Sequence, residues 1–320
     1  MEKRFYDISI LRVMAMLLVV YYHCICPYYV WSGIDSAGFV NPIYEKVCFD
    51  LTGIHMPLFF LIAGYLFGYK RFSRGGYTDS RAFLIGKAKR VLVPYVLVGL
   101  LLLMLRQVKI TGILNGYNCH LWFLMTIFEC YAVGKLVDFV LWDDMKTKVA
   151  VCLFAFLACI AAYFVVVVLG SRFTNAFFYY LTGMILATLD VETLRRWRKT
   201  IIIFSVLLSV AVVTLAVHSK QMIFSRSLCI PLVFCVFLAF RTSLISDVPQ
   251  WLKHLDACSM GIYIVHHIII QSVNRTNFFH QLMVEHCYVY PTVQFFVVFL
   301  LSWAVVGVLR RYKFARYFGL

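Results

Sequence analysis

The sequence predicts an all-α, polytopic membrane protein with about ten transmembrane helices and with both termini in the cytosol. Of its 320 residues 62% are hydrophobic and only 14% are charged, and the mean hydropathy is +0.84. Apolar runs long enough to cross a bilayer recur along the chain between short polar breaks. Lysines and arginines concentrate in alternate breaks. This composition excludes a soluble globular domain.

Ten apolar runs account for almost the whole chain, and the connections between them are short. We therefore expect a single membrane-embedded domain over residues 1–320, with no additional soluble domain. The predicted spans are residues 8–27, 47–69, 90–106, 120–141, 149–169, 173–190, 200–217, 227–241, 257–273 and 291–310.

The positive charges set the predicted orientation. Of the 30 lysines and arginines, 21 fall on the side that carries both termini and seven on the other side, while Arg12 and Lys135 lie within spans. Because cytosolic loops are enriched in these residues, we expect a multi-pass protein of the cell membrane with both ends inside. The positive-inside rule then explains the net charge of +15, and no nucleic-acid partner is expected.

The first span carries two ionisable side chains, Arg12 and His23. Their separation of eleven positions places both on one helix face, roughly 16 Å apart along the axis. A charge inside a span costs roughly 3 kcal/mol or more, so it indicates a functional site. A structural alternative is a snorkelling Arg12 and a His23 that is hydrogen-bonded within a helix interface.

The break before the third span is the most basic in the chain, and it ends in Lys87, Lys89 and Arg90. The positive-inside rule alone can account for these charges. The functional interpretation is a clamp for a phosphorylated cytosolic ligand, because lysine and arginine bind phosphate.

The fourth span begins with His120 and Trp122 on the outer side and carries Glu129 about 13 Å inside it. A carboxylate at that depth must be paired, protonated or functional. In the ninth span Tyr263 and His266 are helical neighbours. Their spacing is compatible with a structural pair and with a catalytic pair.

Two further patterns concern packing and metal binding. Gly64 and Gly68 form a small-xxx-small pair that predicts close helix packing in the second span. The histidines and cysteines lack the spacing of metal ligands, so no metal site is predicted.

Taken together, these stretches resemble the integral-membrane acyltransferase-3 family, which includes O-antigen and exopolysaccharide acetyltransferases, from about Arg4 to Arg316. The matching residues, in chain order, are Arg12 and His23 in LRVMAMLLVVYYH, the stretch PLFFLIAGYLF in the second span, Lys87, Arg90, Pro94 and Tyr95, then His120 to Leu124, and finally Ser259, Gly261, Ile262, Tyr263 and His266.

The chain departs from the family pattern at two places. The serine of the second-helix motif is Ala63 here. Many members carry a carboxylate seven or eight positions after the histidine of the HLW motif, where this chain has Ile127 and Phe128, with Glu129 following. The carboxylate partner of the catalytic base is therefore an open question.

The resemblance implies transfer of an acyl group, usually acetyl, from cytosolic acyl-CoA to a hydroxyl of an extracytoplasmic or lipid-linked glycan, as in O-acetylation of a polysaccharide. It makes His23 the catalytic residue. The residues implied to hold the phosphates of the coenzyme are Arg12, Lys87, Lys89 and Arg90, and those implied to bind the acceptor are His120, Trp122, Glu129, Tyr263 and His266.

Several alternatives stay open at this point. His23 can act as a base toward the acceptor hydroxyl, or as the carrier of an acyl-imidazole intermediate. A transporter that uses Arg12, His23 and Glu129 as a proton or substrate pathway is the rival from another functional class. The identity of the acyl group, the acceptor and the oligomeric state, with a homodimer among the options, are not fixed by the sequence.

Overall fold

The computed structural model describes residues 5–29, 36–105, 109–114, 119–140, 172–215, 221–243 and 245–318. These parts of the chain are helical and contain no strand. Their α-helices are α1 Tyr6–Ile25, α2 Pro42–Thr52, α3 His55–Gly68, α4 Ser80–Met104, α5 Ile110–Leu114, α6 Trp122–Val140, α7 Arg172–Leu186, α8 Val191–Leu215, α9 Gln221–Arg241, α10 Gln250–Asn274, α11 Asn277–Glu285 and α12 Tyr290–Leu309.

The all-α membrane class predicted from the sequence is confirmed. The predicted spans within the described ranges fall on helices, but the second of them, 47–69, is divided between α2 and α3 by a turn at Gly53 and Ile54. The predicted span 149–169 lies outside the described residues. In the described part of the chain three helical segments are long and apolar enough to cross a membrane, namely Tyr6–Tyr28, Pro42–Ser73 and Tyr290–Leu309. The number of ten spans and the cytosolic position of both termini stay predictions.

The closest helix packing joins α3 to α7. A Cβ on Gly64 would overlap the carbonyl oxygen of Tyr180, and a Cβ on Gly183 would overlap that of Leu61. A Cβ on Gly68 would lie 2.8 Å from the carbonyl oxygen of Met184. The small-xxx-small prediction for α3 is therefore confirmed, because only glycine allows the two backbones to approach this closely.

Helix α1 packs against α3, α10 and α12. Two ion pairs fix the end of α1 that is predicted to be cytosolic. Arg241, at the last position of α9, donates to Asp7 at 2.9 Å and to the hydroxyl of Tyr65 at 2.7 Å. Arg12 donates to Asp256 of α10 at 2.8 Å. These contacts hold the helix that carries Arg12 and His23 in one register relative to its neighbours.

Helix α4 begins earlier than the predicted third span. Asp79 caps it by accepting a hydrogen bond from the backbone N–H of Ala82 at 3.0 Å, and the helix then runs unbroken to Met104. Lys87 and Arg90 therefore lie one turn apart on a rigid helix instead of on a loop. Their relative position is fixed by the backbone before any ligand binds.

A second buried ion network joins α6 to the turn that follows α3. Asp138 accepts hydrogen bonds from Arg71, at 2.8 and 2.9 Å, and from Lys135 one turn earlier on α6. Lys135 also donates to the backbone carbonyl of Tyr77 at 2.7 Å. Lys135, which the sequence placed within a span, is thus satisfied by Asp138 and by a main-chain carbonyl.

Candidate active site

Four histidines from the described chain lie side by side between helices of the bundle. His23 comes from α1, His120 from a 3-10 turn over Cys119–Leu121 directly before α6, and His266 and His267 from α10. The ring centroid of His23 lies 4.9 Å from that of His266 and 5.1 Å from that of His267. The His120 ring stacks on His267 at 4.3 Å. We call these four residues the histidine cluster.

The sequence singled out three members of the histidine cluster and missed His267. Adjacent helical residues point about 100° apart, so His266 was the member expected to share a face with Tyr263. Their rings are 6.0 Å apart in the structure. Both histidines are nevertheless buried against His23, because α10 packs against α1 and is enclosed by α12 as well. No sequence signal distinguished this arrangement from a lone structural pair.

Hydrogen bonds to main-chain carbonyls assign the tautomers of His23 and His266. His266 Nδ1 lies 2.9 Å from the carbonyl oxygen of Ile262, and His23 Nδ1 lies 2.9 Å from that of Val19. A carbonyl oxygen only accepts, so each Nδ1 carries the proton. His266 Nε2 is then an acceptor for His23 Nδ1 at 3.1 Å. His23 consequently presents an unprotonated Nε2, which is the nitrogen required of a base or nucleophile.

His120 is held by α10 through both its side chain and its backbone. The Nε2 of His120 donates to the carbonyl oxygen of Ile264 at 3.2 Å. The backbone carbonyl oxygen of His120 accepts a hydrogen bond from the hydroxyl of Tyr263. Its Nδ1 is buried and has no hydrogen-bond partner in the described part of the chain. Within the described ranges no group of three or more His, Cys, Asp or Glu side chains is arranged to hold a metal ion.

A cavity of about 520 Å³ opens between α1, α3, α4, α6 and α10, and we call it the basic cavity. Within the described chain no carboxylate lines it, and most of its lining residues are aliphatic or aromatic. Tyr263 lines the basic cavity and also contacts the ring of His120 at 5.7 Å. The basic side chains in its wall are Arg12, Lys70, Arg74, Lys87 and Arg90.

Arg12 both forms an ion pair and lines the basic cavity. One of its Nη atoms donates to Asp256, which also accepts from the hydroxyl of Ser9 at 2.8 Å. The side chain is nevertheless 33% exposed and lines the basic cavity, and its Nε is buried with no hydrogen-bond partner in the described structure. Asp256, which the sequence analysis did not single out, is the carboxylate that orients this guanidinium.

The predicted phosphate clamp is only partly assembled at the basic cavity. Lys87 and Arg90 line it, whereas the exposed side chain of Lys89 does not. The ammonium of Lys87 lies 4.2 Å from the ring centroid of Tyr131. Burial lowers the pKa of Lys87, the positive charges of Arg90 and Lys70 lower it further, and Tyr77 opposes this shift. The sequence analysis did not identify Lys70 and Arg74 as part of the cavity wall, although both lie in the basic break before the third span. We call this break, residues 70–90, the basic segment.

Two predicted acceptor residues lie apart from the basic cavity and the histidine cluster. Trp122 packs near Phe60, with ring centroids 6.4 Å apart, and the guanidinium of Arg172 lies 5.3 Å from its ring. Glu129 is partly buried on α6, with no hydrogen bond or ion pair to any described residue. Of the predicted acceptor residues, His120 and His266 contact His23, and Tyr263 contacts both of these histidines.

Comparison with known proteins gives one match. The family described as an acyltransferase domain, of the acyltransferase-3 type, matches residues 5–311 of the chain. No curated protein and no solved structure matches it.

Proposed function

The chain belongs to this acyltransferase family and is a membrane acyltransferase, and we propose that it moves an acyl group, in the first place acetyl, from cytosolic acyl-CoA to a glycan hydroxyl. The acceptor would be extracytoplasmic or lipid-linked. The observation that carries this proposal is the shared position of Tyr263, which lines the basic cavity and contacts the histidine cluster. A donor held in the basic cavity would thus direct its thioester toward the histidines.

The basic cavity suits the chemistry of a coenzyme thioester. Coenzyme A carries several phosphate charges at one end of a long, mostly uncharged arm. Positive side chains in the cavity wall, with no carboxylate among the described lining residues, favour the phosphates. Apolar side chains in the same wall, among them Phe59, Leu66 and Phe123, favour the arm and a short acyl group. Arg12, Lys87 and Arg90 retain their proposed role as phosphate ligands, and Lys70 and Arg74 join them.

His23 would act through Nε2. As the acceptor oxygen forms its bond to the thioester carbon, Nε2 removes the hydroxyl proton. When the carbon–sulfur bond breaks, the same proton passes to the departing thiolate, so free coenzyme A and an O-acyl product result. His266 and the carbonyl oxygen of Val19 both accept from Nδ1–H, which orients the ring and stabilises the transient imidazolium. His266 thereby takes the place of a carboxylate partner.

The acyl-imidazole route would use the same nitrogen. Nε2 would attack the thioester carbon, and coenzyme A would leave as its thiolate. The acceptor oxygen would then attack the acyl carbon, the bond from that carbon to Nε2 would break, and the hydroxyl proton would balance the charge of the released thiolate. In either route His120 and Tyr263 would border the acceptor, and Trp122 and Glu129 on α6 would contribute more distant contacts. Rapid quenching with radiolabelled acetyl-CoA in the absence of acceptor separates the routes, because only the second leaves label on His23.

The proposed function is tested by reconstitution. Purified protein in liposomes, given labelled acetyl-CoA and a hydroxyl-bearing glycan, should transfer label to the glycan and release coenzyme A. The His23→Ala protein should do neither. Uptake of a solute without any consumption of acyl donor would instead support the transporter alternative.

The proposed orientation has its own test. Single cysteines at Gly38 and Thr276, introduced on a cysteine-free background, should react in intact cells with an impermeant thiol reagent. Cysteines at Gly75 and Trp197 should react only after the membrane is opened. All four positions are exposed, so reactivity reports the side of the membrane. Labelling of position 75 in intact cells would place the basic cavity on the wrong side for a cytosolic donor.

A further inference from the structure

A line of buried polar side chains follows α10 from the histidine cluster toward the end of the bundle that is predicted to face outward. His267, Gln271 and Asn274 are all buried, and they succeed one another after four and then three positions. This spacing places them on one face of α10, with steps of about 6 Å and about 4.5 Å along the axis. Nothing in the proposed chemistry of His23 uses Gln271 or Asn274.

Helix α12 extends this line to the surface. Gln294 Nε2 donates to Oδ1 of Asn274 at 2.6 Å, and the hydroxyl of Tyr290 donates to the same oxygen at 3.1 Å. Tyr290 is the first residue of α12 and is only partly buried, so solvent reaches the line at this end. We call these five residues, His267, Gln271, Asn274, Gln294 and Tyr290, the polar row.

Two atoms of the polar row are buried with no hydrogen-bond partner in the described part of the chain. They are the amide nitrogen of Asn274 and the amide oxygen of Gln294. Exchanging nitrogen and oxygen in both side chains would keep the hydrogen bond between them, but it would leave an acceptor on Asn274 and a donor on Gln294 without partners. One donor and one acceptor are thus left over in either assignment. Because such buried groups are costly, they indicate bound water, which can satisfy both.

The histidine cluster supplies a third atom of this kind at the other end of the polar row. His120 Nδ1 is buried with no hydrogen-bond partner among the described residues, and the His120 ring stacks on His267 at 4.3 Å. Since Nε2 of His120 donates to Ile264, this Nδ1 accepts and requires a donor such as water. A bridging water spans about 5.5 Å between the groups it joins, which is close to each step along α10. Side chains and waters together can therefore connect the cluster to the surface.

Only the acyl-imidazole route requires such a connection. In that route coenzyme A departs as a thiolate, which takes a proton from the cytosolic solution. The acceptor oxygen then bonds to the acyl carbon and the bond from that carbon to Nε2 of His23 breaks. The hydroxyl proton is left in the buried cluster after the thiolate has gone. In direct transfer the same proton passes to the thiolate, and no further path is needed.

We propose that the polar row conducts this proton outward, so that each acyl group transferred releases one proton on the outer side and consumes one in the cytosol. This inference rests on the proposed acyl transfer and on the predicted orientation. His267, the waters and the Tyr290 hydroxyl can each donate and accept, while the amides of Gln271, Asn274 and Gln294 hold the waters in line. One positive charge then crosses the membrane in each turnover, although the acyl group itself carries no charge.

The first experiment needs only the wild-type protein, in liposomes that enclose a hydroxyl-bearing glycan and a pH-sensitive dye. Acetyl-CoA added outside reaches only molecules whose cytosolic side faces outward, and valinomycin with potassium prevents the build-up of a potential. The lumen should acidify by about one proton per acetyl group transferred, and a protonophore should abolish the change. Transfer to the glycan without acidification of the lumen would overturn the inference. Absence of any His23-dependent transfer would instead refute the proposed function itself.

The second experiment removes polar atoms from the row at nearly constant volume. Asn274→Leu and Gln294→Met should each lower kcat by about tenfold with the KM for acetyl-CoA unchanged. During turnover, more of the enzyme should carry label as acyl-His23 after rapid quenching, because its deacylation waits for the proton to leave. Ser302→Ala removes another buried polar group from the inward face of α12, outside the polar row, and should change kcat by less than about threefold.

The acyl-enzyme separates slowed proton release from general damage, since a misfolded protein forms none. A fall in kcat without accumulation of acyl-His23, or an equal fall in the Ser302→Ala protein, would show that the polar row only supports packing. Unchanged kcat in both row variants would overturn the inference as well. If neither variant folds, the proton count of the wild-type protein still decides.

Discussion

The histidine cluster and the basic cavity are neighbours that satisfy their polar groups in opposite ways. In the cluster, main-chain carbonyl oxygens accept from ring nitrogens, Val19 from His23, Ile262 from His266 and Ile264 from His120. The helices themselves therefore fix the tautomers. In the basic cavity, cations line an apolar space with no carboxylate in its described wall. The first arrangement is preorganised to move a proton, and the second to attract an anion.

The buried network of Arg71, Lys135 and Asp138 differs from the basic cavity in having a carboxylate that pairs with its cations. It contains the same residue types, but its carboxylate accepts from both cations and all three side chains are at most 5% exposed. A buried charge that is paired in this way stabilises one packing arrangement and has little left with which to bind a ligand. Cations gathered without acids around an open space are therefore the better indicator of a site.

The largest effect should follow from removing His23, the proposed base of the histidine cluster. His23→Ala should lower kcat by roughly 10²–10⁴-fold, the usual contribution of general acid–base catalysis, while the protein still inserts in the membrane. The measurement is transfer of labelled acetyl in liposomes, with size-exclusion chromatography in detergent as the folding control. Activity within about tenfold of wild type would remove His23 from both proposed routes.

A smaller loss should follow when His23 keeps its place but loses its partner. His266→Ala removes the acceptor of a hydrogen bond that is charge-assisted once His23 is protonated, so kcat should fall by about ten- to a hundredfold with donor KM unchanged. His266→Gln keeps a side-chain oxygen and should recover part of the loss. If both substitutions raise donor KM as much as they lower kcat, His266 shapes the basic cavity and does not position His23.

How far the sequence could predict this site is clearest from α1 and α10. The spacing of Arg12 and His23 was enough to place both on one face, since helix geometry is local. The partners of these residues, Asp256 and His266, lie 244 and 243 positions away. Only tertiary packing selects Asp256 over Glu129 as the carboxylate for Arg12, because both are acids within or beside apolar runs.

The ion pair of Lys135 shows the opposite case. Asp138 lies only three positions away on the same helix, so this pairing was available from the sequence. The tautomers, in contrast, depend on which carbonyl each ring reaches, and no spacing rule gives that.

Removal of a positive charge from the wall of the basic cavity should weaken donor binding, and removal of one outside the wall should weaken it less. Arg90→Gln should weaken donor binding by about tenfold, near the low end of the roughly 1.5–3 kcal/mol of a charge-assisted hydrogen bond, because Arg90 is exposed and screened. Arg90→Lys should restore only part of this, since an ammonium lacks the bidentate fork. Acceptor KM should not change.

Lys89 supplies the matched comparison, because it is a neighbouring exposed cation that does not line the cavity. Lys89→Gln should weaken donor binding less than Arg90→Gln does. Two outcomes would contradict the phosphate clamp: equal effects of the two substitutions, or unaltered binding of acetyl-CoA to the Arg90→Gln protein in calorimetry. The positive-inside rule would then be sufficient to explain the charges of the basic segment.

The smallest predicted effect is a pH dependence of donor binding set by Lys87. Burial lowers the pKa of Lys87, so its ammonium loses the proton at a lower pH than an exposed lysine does. The positive form prevails below that pKa, and donor affinity should decline as the pH rises through it. The phosphates of the donor are already ionised and cannot compensate. Wild-type kcat/KM for acetyl-CoA should therefore fall a few-fold over an alkaline interval that begins below the pH at which an exposed lysine titrates. Lys87→Arg keeps its charge throughout this interval and should flatten the profile, whereas Lys89→Arg should leave it as in wild type.

Parallel profiles for all three proteins would mean that Lys87 is not a phosphate ligand, and the contrast between the cavity and the histidine cluster would then rest on Arg12, Lys70, Arg74 and Arg90.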